Sequence, residues 1–443
     1  MHHPVRAALW VLAYLLIALA PLALSLIQLD PGRGFWVNLS VAAGFVGLSL
    51  MGLQFVIAAR SVHVTGLFGP DVLLRVHRQI TALIAVLIFA HPIILFVWDA
   101  RFLALLNPFT SPPRAKFAVA SVVLLSILII TSVWRRRLKI PYQTWQVLHS
   151  VLAVLVVVTG VAHVLLIGYY VSEPWERALW VVYSAVFIWI GLWVRVIRPL
   201  SRWRRRWRVV HVRPQPLGSH TVRLEPVSSD SYGRQGFSFS AGQYAWIQTG
   251  RNPFSINYHP FSFSSSAENP QSVEFTIKTE HGFTARVGEL EPGAIVYLDG
   301  PWGQLTMDDN EGPGFVFIAA GVGVTPMLSM LTTMADRGDH RPCWLILGNR
   351  NESEVICSAE VNQLNERMAN LTVVQTISQP GTNWNGRAGR ISRELLDEVL
   401  PENRARMQYF MCAAGPVMDT AQSALVELGV PVARIHSERF AMA

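Results

Sequence analysis

Four histidines stand in apolar segments as two pairs of equal spacing. His77 and His91 are fourteen residues apart, and so are His149 and His163. A helix rises about 1.5 Å and turns about 100° per residue, so fourteen residues cover roughly 21 Å and return to within about 40° of the same face. Two such helices side by side would offer two stacked His–His pairs at two depths. Imidazole is a good iron ligand, and ligation from both sides suits electron transfer better than ligand binding. The spacing therefore predicts iron held between His77 and His149 and between His91 and His163. Packed histidines or a proton relay would be the plainer reading, as for His63 and His211, which have no matching partner. Ionisable residues inside membrane spans are costly, however, and functional by default. Pro92, directly after His91, removes a backbone hydrogen bond and should kink its helix near that pair.

The elements that must position these residues are apolar spans. The chain has 443 residues, 51% of them hydrophobic, too many for a single soluble domain. Six spans of near-bilayer length run over about 8–27, 36–59, 77–98, 116–134, 146–168 and 178–197. Residues 1–208 hold 20 Lys and Arg against 5 Asp and Glu, while the rest holds 17 against 24. The basic residues gather at span ends, which argues against a nucleic-acid partner and for a lipid bilayer. The N-terminal tail and the stretches 60–78, 135–139 and 195–208 carry 15 basic residues, and the other three loops carry 5. The positive-inside rule places the first set, and the soluble half, in the cytoplasm. His77 and His149 then lie toward the inner face, and His91 and His163 toward the outer. The first span reads as an uncleaved helix, because Pro21 follows its only cleavage-like site. Three cysteines without CxxC spacing imply no disulfide framework, zinc site or covalent haem attachment.

After the basic stretch 198–208, short alternating runs (RVVHV, HTVRLEPV, QYAWIQ, VEFTIKT, AIVYLDG) punctuated by Gly, Pro and Ser predict a small antiparallel barrel. From Gly314 strands alternate with helices (FVFIAAG, CWLILGN, LTVVQTI, MQYFMCAA), which predicts a parallel sheet with covering helices. Gly321-Val-Gly323-Val-Thr325-Pro326 leaves the first of these strands and opens a helix. Its glycines would let backbone approach a phosphate, with Thr325 as a cap and Pro326 in the first turn. An ordinary strand-to-helix turn would look the same.

His259-Pro260-Phe261-Ser262, followed by Ser264-Ser265, resembles the flavin motif of the ferredoxin–NADP reductase superfamily in its NADPH oxidase and ferric reductase form. With the paired histidines, the whole chain is similar to that transmembrane family. The resemblance implies a multi-domain membrane protein. It would comprise a six-helix transmembrane dihaem bundle (1–200), a basic linker (201–208), an antiparallel β-barrel FAD domain (209–305) and an α/β parallel-sheet NAD(P)-binding domain (306–443). It implies FAD, two haem b and NADPH or NADH as cofactors. His259 would lie near the FAD pyrophosphate, with Pro260 and Ser265 beside it. Phe261 would pack on the flavin, and Ser262 would approach its reactive edge. Gly282-Phe283-Thr284 resembles the second flavin element, Thr284 capping a short helix. Gly321, Gly323, Thr325 and Pro326 would hold the dinucleotide, joined by Gly415, Pro416 and Met418. Phe440 would cover the flavin, with Glu438 close by. The family carries Cys directly before Gly-Pro; here Ala414 stands there and Cys412 two residues earlier, so a direct role for Cys412 in hydride transfer is in doubt. Arg350 would bind a 2′-phosphate and favour NADPH, or is a plain surface arginine.

The expected activity is transmembrane electron transfer in a bacterial inner or plasma membrane, from cytoplasmic NAD(P)H to an external acceptor. Chelated ferric iron would make it ferric-reductase-like, and oxygen would make it an NADPH oxidase releasing superoxide. A transporter or proton-relay protein with a regulatory flavin domain would use titrating histidines instead. A quinol-linked dihaem cytochrome would leave the nucleotide-binding half unexplained. No calcium-binding loop is apparent.

Overall fold

The computed structural model describes residues 3–26, 33–59, 68, 70–228, 232, 236–250, 252–255, 258–280, 283–382 and 384–438. They form two compact units, Met1–Arg198 and Pro199–Ala443.

Six helices of the first unit are long and apolar enough to cross a membrane. They are α1 (His3–Leu26), α2 (Phe35–Ala58), α3 (Pro70–Trp98), α4 (Pro113–Val133), α5 (Tyr142–Ile167) and α6 (Pro174–Leu192). Local chemistry sets several ends. Pro113 and Pro174 open α4 and α6, where a missing N–H costs nothing. Glu173 and Glu176 form a capping box at α6. Gly168, at φ 75°, ends α5. A π turn (Trp193–Ile197) and α7 (Arg198–Arg204) follow α6 in the chain.

The bundle core joins Phe45, Leu48, Val156, Val161, Trp180 and Phe187. Outward, large apolar side chains stand bare: Val86 is 66% exposed and Val97 82%. That is the inverse of a soluble bundle and suits lipid as solvent. Small residues let α2 lie close to its neighbours. A Cβ on Gly47 would sit 2.8 Å from Ile88, and one on Gly52 1.8 Å from Phe187. The tightest helix packing pairs α2 with α3 and α4 with α5.

Helix α3 starts before the expected 77, so His77 lies within it. Arg75 stands outside the expected apolar span but inside the helix, because a long basic side chain can reach water while its backbone stays helical. The helix runs on through Pro92 to Trp98.

The second unit holds two six-stranded sheets. The first contains β1 (Trp207–Pro214), β2 (His220–Pro226), β3 (Tyr244–Thr249), β4 (His259–Ser262), β5 (Val273–Ile277) and β6 (Ile295–Trp302), antiparallel in the order β4-β3-β6-β1-β2-β5. Its two edges meet at an antiparallel bridge between Phe263 and Phe275, where Ser264 N–H donates to Glu274 O at 2.8 Å. Trp207, Phe239, Phe263 and Phe275 fill the interior, the Phe239 and Phe263 rings stacked 4.1 Å apart.

The second sheet contains β7 (Phe315–Ala320), β8 (Cys343–Asn349), β9 (Leu371–Ile377), β10 (Arg387–Ala388), β11 (Gln408–Cys412) and β12 (Ile435–Ser437), parallel in the order β10-β9-β8-β7-β11-β12. The near-unbroken apolar runs of β7 and β11 match their burial. Helices α8 (Val324–Arg337), α9 (Ser358–Arg367), α10 (Arg393–Val399) and α11 (Gly415–Glu427) follow β7, β8, β10 and β11. The alternating runs anticipated every strand except β4, β10 and β12.

Candidate functional site

In the first unit the histidine pairs come together as the spacing requires. The ring centroids of His77 and His149 are 6.4 Å apart, and those of His91 and His163 6.2 Å. Three of the four rings are held from behind through Nδ1. His91 Nδ1 donates to the Ser40 carbonyl at 2.8 Å, and the Ser40 hydroxyl in turn donates to His91 O at 2.7 Å. His163 Nδ1 donates to the Arg114 carbonyl at 2.8 Å. His149 Nδ1 lies 3.1 Å from Ser132 Oγ. His77 Nδ1 is buried with no hydrogen-bond partner among the described residues. A protonated, tethered Nδ1 leaves Nε2 with its lone pair, the arrangement found behind metal-bound histidine.

These residues fit a haem. Iron bound by two imidazoles at about 2 Å each sets the ring centroids about 6.3 Å apart. Both pairs stand at that separation, whereas a direct imidazole–imidazole hydrogen bond would draw the rings closer. Gly44 lies against the outer pair, a Cβ there falling 3.2 Å from His91 Nδ1. Among the described residues no group of three or more His, Cys, Asp or Glu could hold a metal. Ser40, Ser132 and the Arg114 carbonyl carry no signal in a single sequence, because each meets its histidine from another helix.

In the second unit the flavin motif is β4. The first residue of that strand, His259, stacks on Phe283 at 4.8 Å and 23°, and Phe261 lies parallel to the same ring at 6.0 Å. Burial holds His259 below the usual imidazole range, so it is neutral near pH 7. Pro260 pairs with Trp246, and Ser262, buried, with Tyr244. Ser265 Oγ accepts from Glu274 N at 3.0 Å. The Thr284 hydroxyl accepts from Glu280 N at 3.0 Å, which secures the preceding loop; Phe283 stands at the N-cap of the 3-10 turn Thr284–Glu289 and makes no side-chain cap bond. Glu438 sets its carboxylate beside Gly303. Gly282 and Phe440 lie outside the described residues.

The nucleotide motif sits where the strand order of the parallel sheet reverses. Successive strands leave β7 toward β8 on one side and reach β11 on the other, and ligands of open α/β sheets bind outside the carboxyl ends of the strands at such a switch. Both candidate loops are there: Gly321 to Pro326 after β7, and Gly415-Pro416 after β11. The two glycines of the first loop differ. Gly321 has φ 55°, and a Cβ there meets nothing within 4 Å; a Cβ on Gly415 also meets open space. These positions form an open cradle. A Cβ on Gly323 would lie 1.9 Å from Cys412 O, so Gly323 seats α8 against β11. Thr325 is not the cap: Gly323 is, and Thr325 Oγ1 donates to Val322 O at 2.9 Å from inside the first turn. Met418 is buried in α11, and Arg350 is exposed beyond β8. Cys412 is buried at the end of β11, its thiol pushed up to about 12 by burial first and by Glu438 second. An inert thiol there agrees with the doubt over its role.

The loop that follows the flavin-motif strand and the nucleotide helix are tied directly. Ser329 Oγ of α8 donates to Ser265 O at 2.8 Å, and Ala267 N–H donates to Thr333 Oγ1 of α8 at 2.9 Å.

Three family models match the chain: a ferric reductase like transmembrane component over residues 43–160, a FAD-binding domain over 218–304 and an oxidoreductase NAD-binding domain over 317–423. Among curated relatives, the propane 2-monooxygenase reductase component of Mycolicibacterium goodii is 25% identical over 53% of this chain and 67% of its own length. The ferredoxin–NADP reductase B of Sorangium cellulosum is 26% identical over 52% of this chain and 99% of its own. The stachydrine N-demethylase reductase subunit of Rhizobium meliloti matches over only 59% of its length. Among solved structures, the flavohaem-like FAD/NAD-binding domain of a Vibrio cholerae nitric oxide dioxygenase aligns with a TM-score of 0.47 at 21% identity, over 53% of this chain and 98% of that one. The chain is a multi-pass membrane electron-transfer oxidoreductase with a FAD- and NAD(P)H-binding reductase module. Its three domains stand in the order of a ferric reductase/NADPH oxidase-like fusion.

Proposed function

We propose that the chain moves electrons from cytoplasmic NAD(P)H, by way of FAD and two b-type haems, to an acceptor beyond the far face of the membrane, in ferric-reductase fashion. The two histidine pairs at 6.4 and 6.2 Å carry this reading. His77 and His149 would hold the inner haem, and His91 and His163 the outer. The basic bias of one set of loops supports the assignment of inner and outer. When bound, FAD supplies the passage from two-electron to one-electron transfer, and haem iron supplies the one-electron relay.

The protein's own part is placement. The imidazoles of α3 and α5 would hold the two haems at positions fourteen residues apart. His259, Phe261 and Ser262 of β4, with Pro260, Ser265 and the Gly282-Phe283-Thr284 turn, would hold the flavin, and Phe440 with Glu438 would close its far face. Gly321 and Gly415 would give the dinucleotide phosphates open backbone at two helix N-termini, with Gly323, Thr325, Pro326, Pro416 and Met418 shaping the floor. Arg350, exposed at the end of β8, would meet a 2′-phosphate and favour NADPH.

Purified protein should show a Soret band and two haems per chain, and His91→Leu should lose half of them. Unchanged haem in that variant would break the ladder, and a chain with no Soret band would favour a transport or proton-relay protein. Side-by-side assays of ferrous and superoxide formation identify the acceptor. Iron reduction that survives superoxide dismutase marks direct ferric reduction. Iron reduction that dismutase abolishes marks an oxidase.

A further inference from the structure

The two histidine pairs are held differently, and the difference bears on their electron affinity. Both outer imidazoles donate Nδ1–H to backbone carbonyls at 2.8 Å, Ser40 for His91 and Arg114 for His163. The inner pair has a single weaker tie, His149 Nδ1 to Ser132 Oγ at 3.1 Å, and His77 Nδ1 has none among the described residues. The Ser132 hydroxyl is already committed as a donor to Leu128 O at 2.7 Å, so toward His149 it is an acceptor. A second donor competes for that oxygen: Trp145 Nε1 approaches it at 3.3 Å. The Trp145 ring also lies on the His149 ring, centroids 5.1 Å apart and planes at 44°.

An imidazole whose distal N–H is drawn to an acceptor becomes a more electron-rich ligand and favours ferric over ferrous iron. We propose that Ser132 and Trp145 are positioning residues that set the electron affinity of the inner haem: Ser132 lowers it by accepting from His149, and Trp145 raises it by drawing on the same oxygen. With one weaker tie against two stronger ones, the inner site would be the more readily reduced of the two. This inference rests on the haem reading above.

Optical redox titration of the purified full chain tests it, with Ser132→Ala, Ser132→Thr and Trp145→Phe. All three should retain two haems. At a fixed potential, Ser132→Ala should raise the reduced-to-oxidised ratio of one component about threefold to tenfold, the range of a single hydrogen bond. Trp145→Phe keeps an aromatic ring but removes the competing N–H, and should lower the same component's ratio by about twofold to threefold. Ser132→Thr, which restores the hydroxyl, should behave as the native chain. Opposite signs on one component are the signature, because a packing defect has no reason to produce them. Shifts of one sign in both variants, movement of both components, or no movement would overturn the proposal while leaving the haem ladder standing. A native chain without two haems would overturn the ladder itself.

Discussion

At the scale of single residues, two glycines two positions apart separate binding from folding. Gly321 sits at φ 55° over open space, and Gly323 is pressed on Cys412 O. Gly321→Ala should strain the backbone by about 1 kcal/mol and fill the cradle, raising KM for NAD(P)H with little change in melting temperature. Gly323→Ala should destabilise the nucleotide-binding part by about 3 kcal/mol, visible as a lowered melting temperature even without nucleotide. The reverse pattern would exchange the two roles. His259 makes a second residue-scale prediction. Its folded form is held below the ordinary 6.5 by burial, as is that of His436. As pH falls through 6.5 the unfolded chain takes up protons that the folded chain resists, so stability is lost on the acid side and is flat above. Denaturant midpoints of the reductase part between pH 7.5 and 5.5 should fall, and His259→Phe should flatten that slope.

At the scale of elements, α8 makes the clearest prediction. Thr333, fully buried, accepts from Ala267 N–H while its own hydroxyl donates to Ser329 O. Thr333→Val should leave that amide unpaired and cost about 1–2 kcal/mol, read as a lower denaturant midpoint for flavin release. Elements built on strong periodicity were the legible ones. Six apolar runs gave six spans, and the β7 and β11 runs gave central strands, because burial on both faces leaves no polar interruption. Strand β4 was hidden by Pro260, which an edge strand tolerates because its N–H is not needed. Strands β10 and β12 have two and three residues, too few for a period. The histidine ladder was legible because one helix repeats its ligand at a helical interval. The residues behind it were not: Ser40 is 51 positions from His91, and Arg114 is 49 from His163. Thr325 reads as a cap from local pattern, yet its hydroxyl turns back to Val322 O within the first turn.

At the scale of the molecule, the chain keeps its thiols out of the chemistry. All three cysteines are buried, and each is pushed up to about 12, by burial in every case before any neighbouring charge. The native protein at pH 8 should therefore titrate fewer than one thiol with a chromogenic disulfide, and all three only after unfolding. Rapid labelling of Cys412 in the folded state would reopen its part in hydride transfer. Helix α8 has a wider consequence. Its first turn opens onto the proposed dinucleotide cradle, and two of its later side chains grip the loop that follows the flavin-motif strand. In the proposed reading the interval from hydride donor to flavin would be gauged by a few turns of one helix, a fixed ruler, and a mutation that shifts α8 along its axis would detune both sites at once.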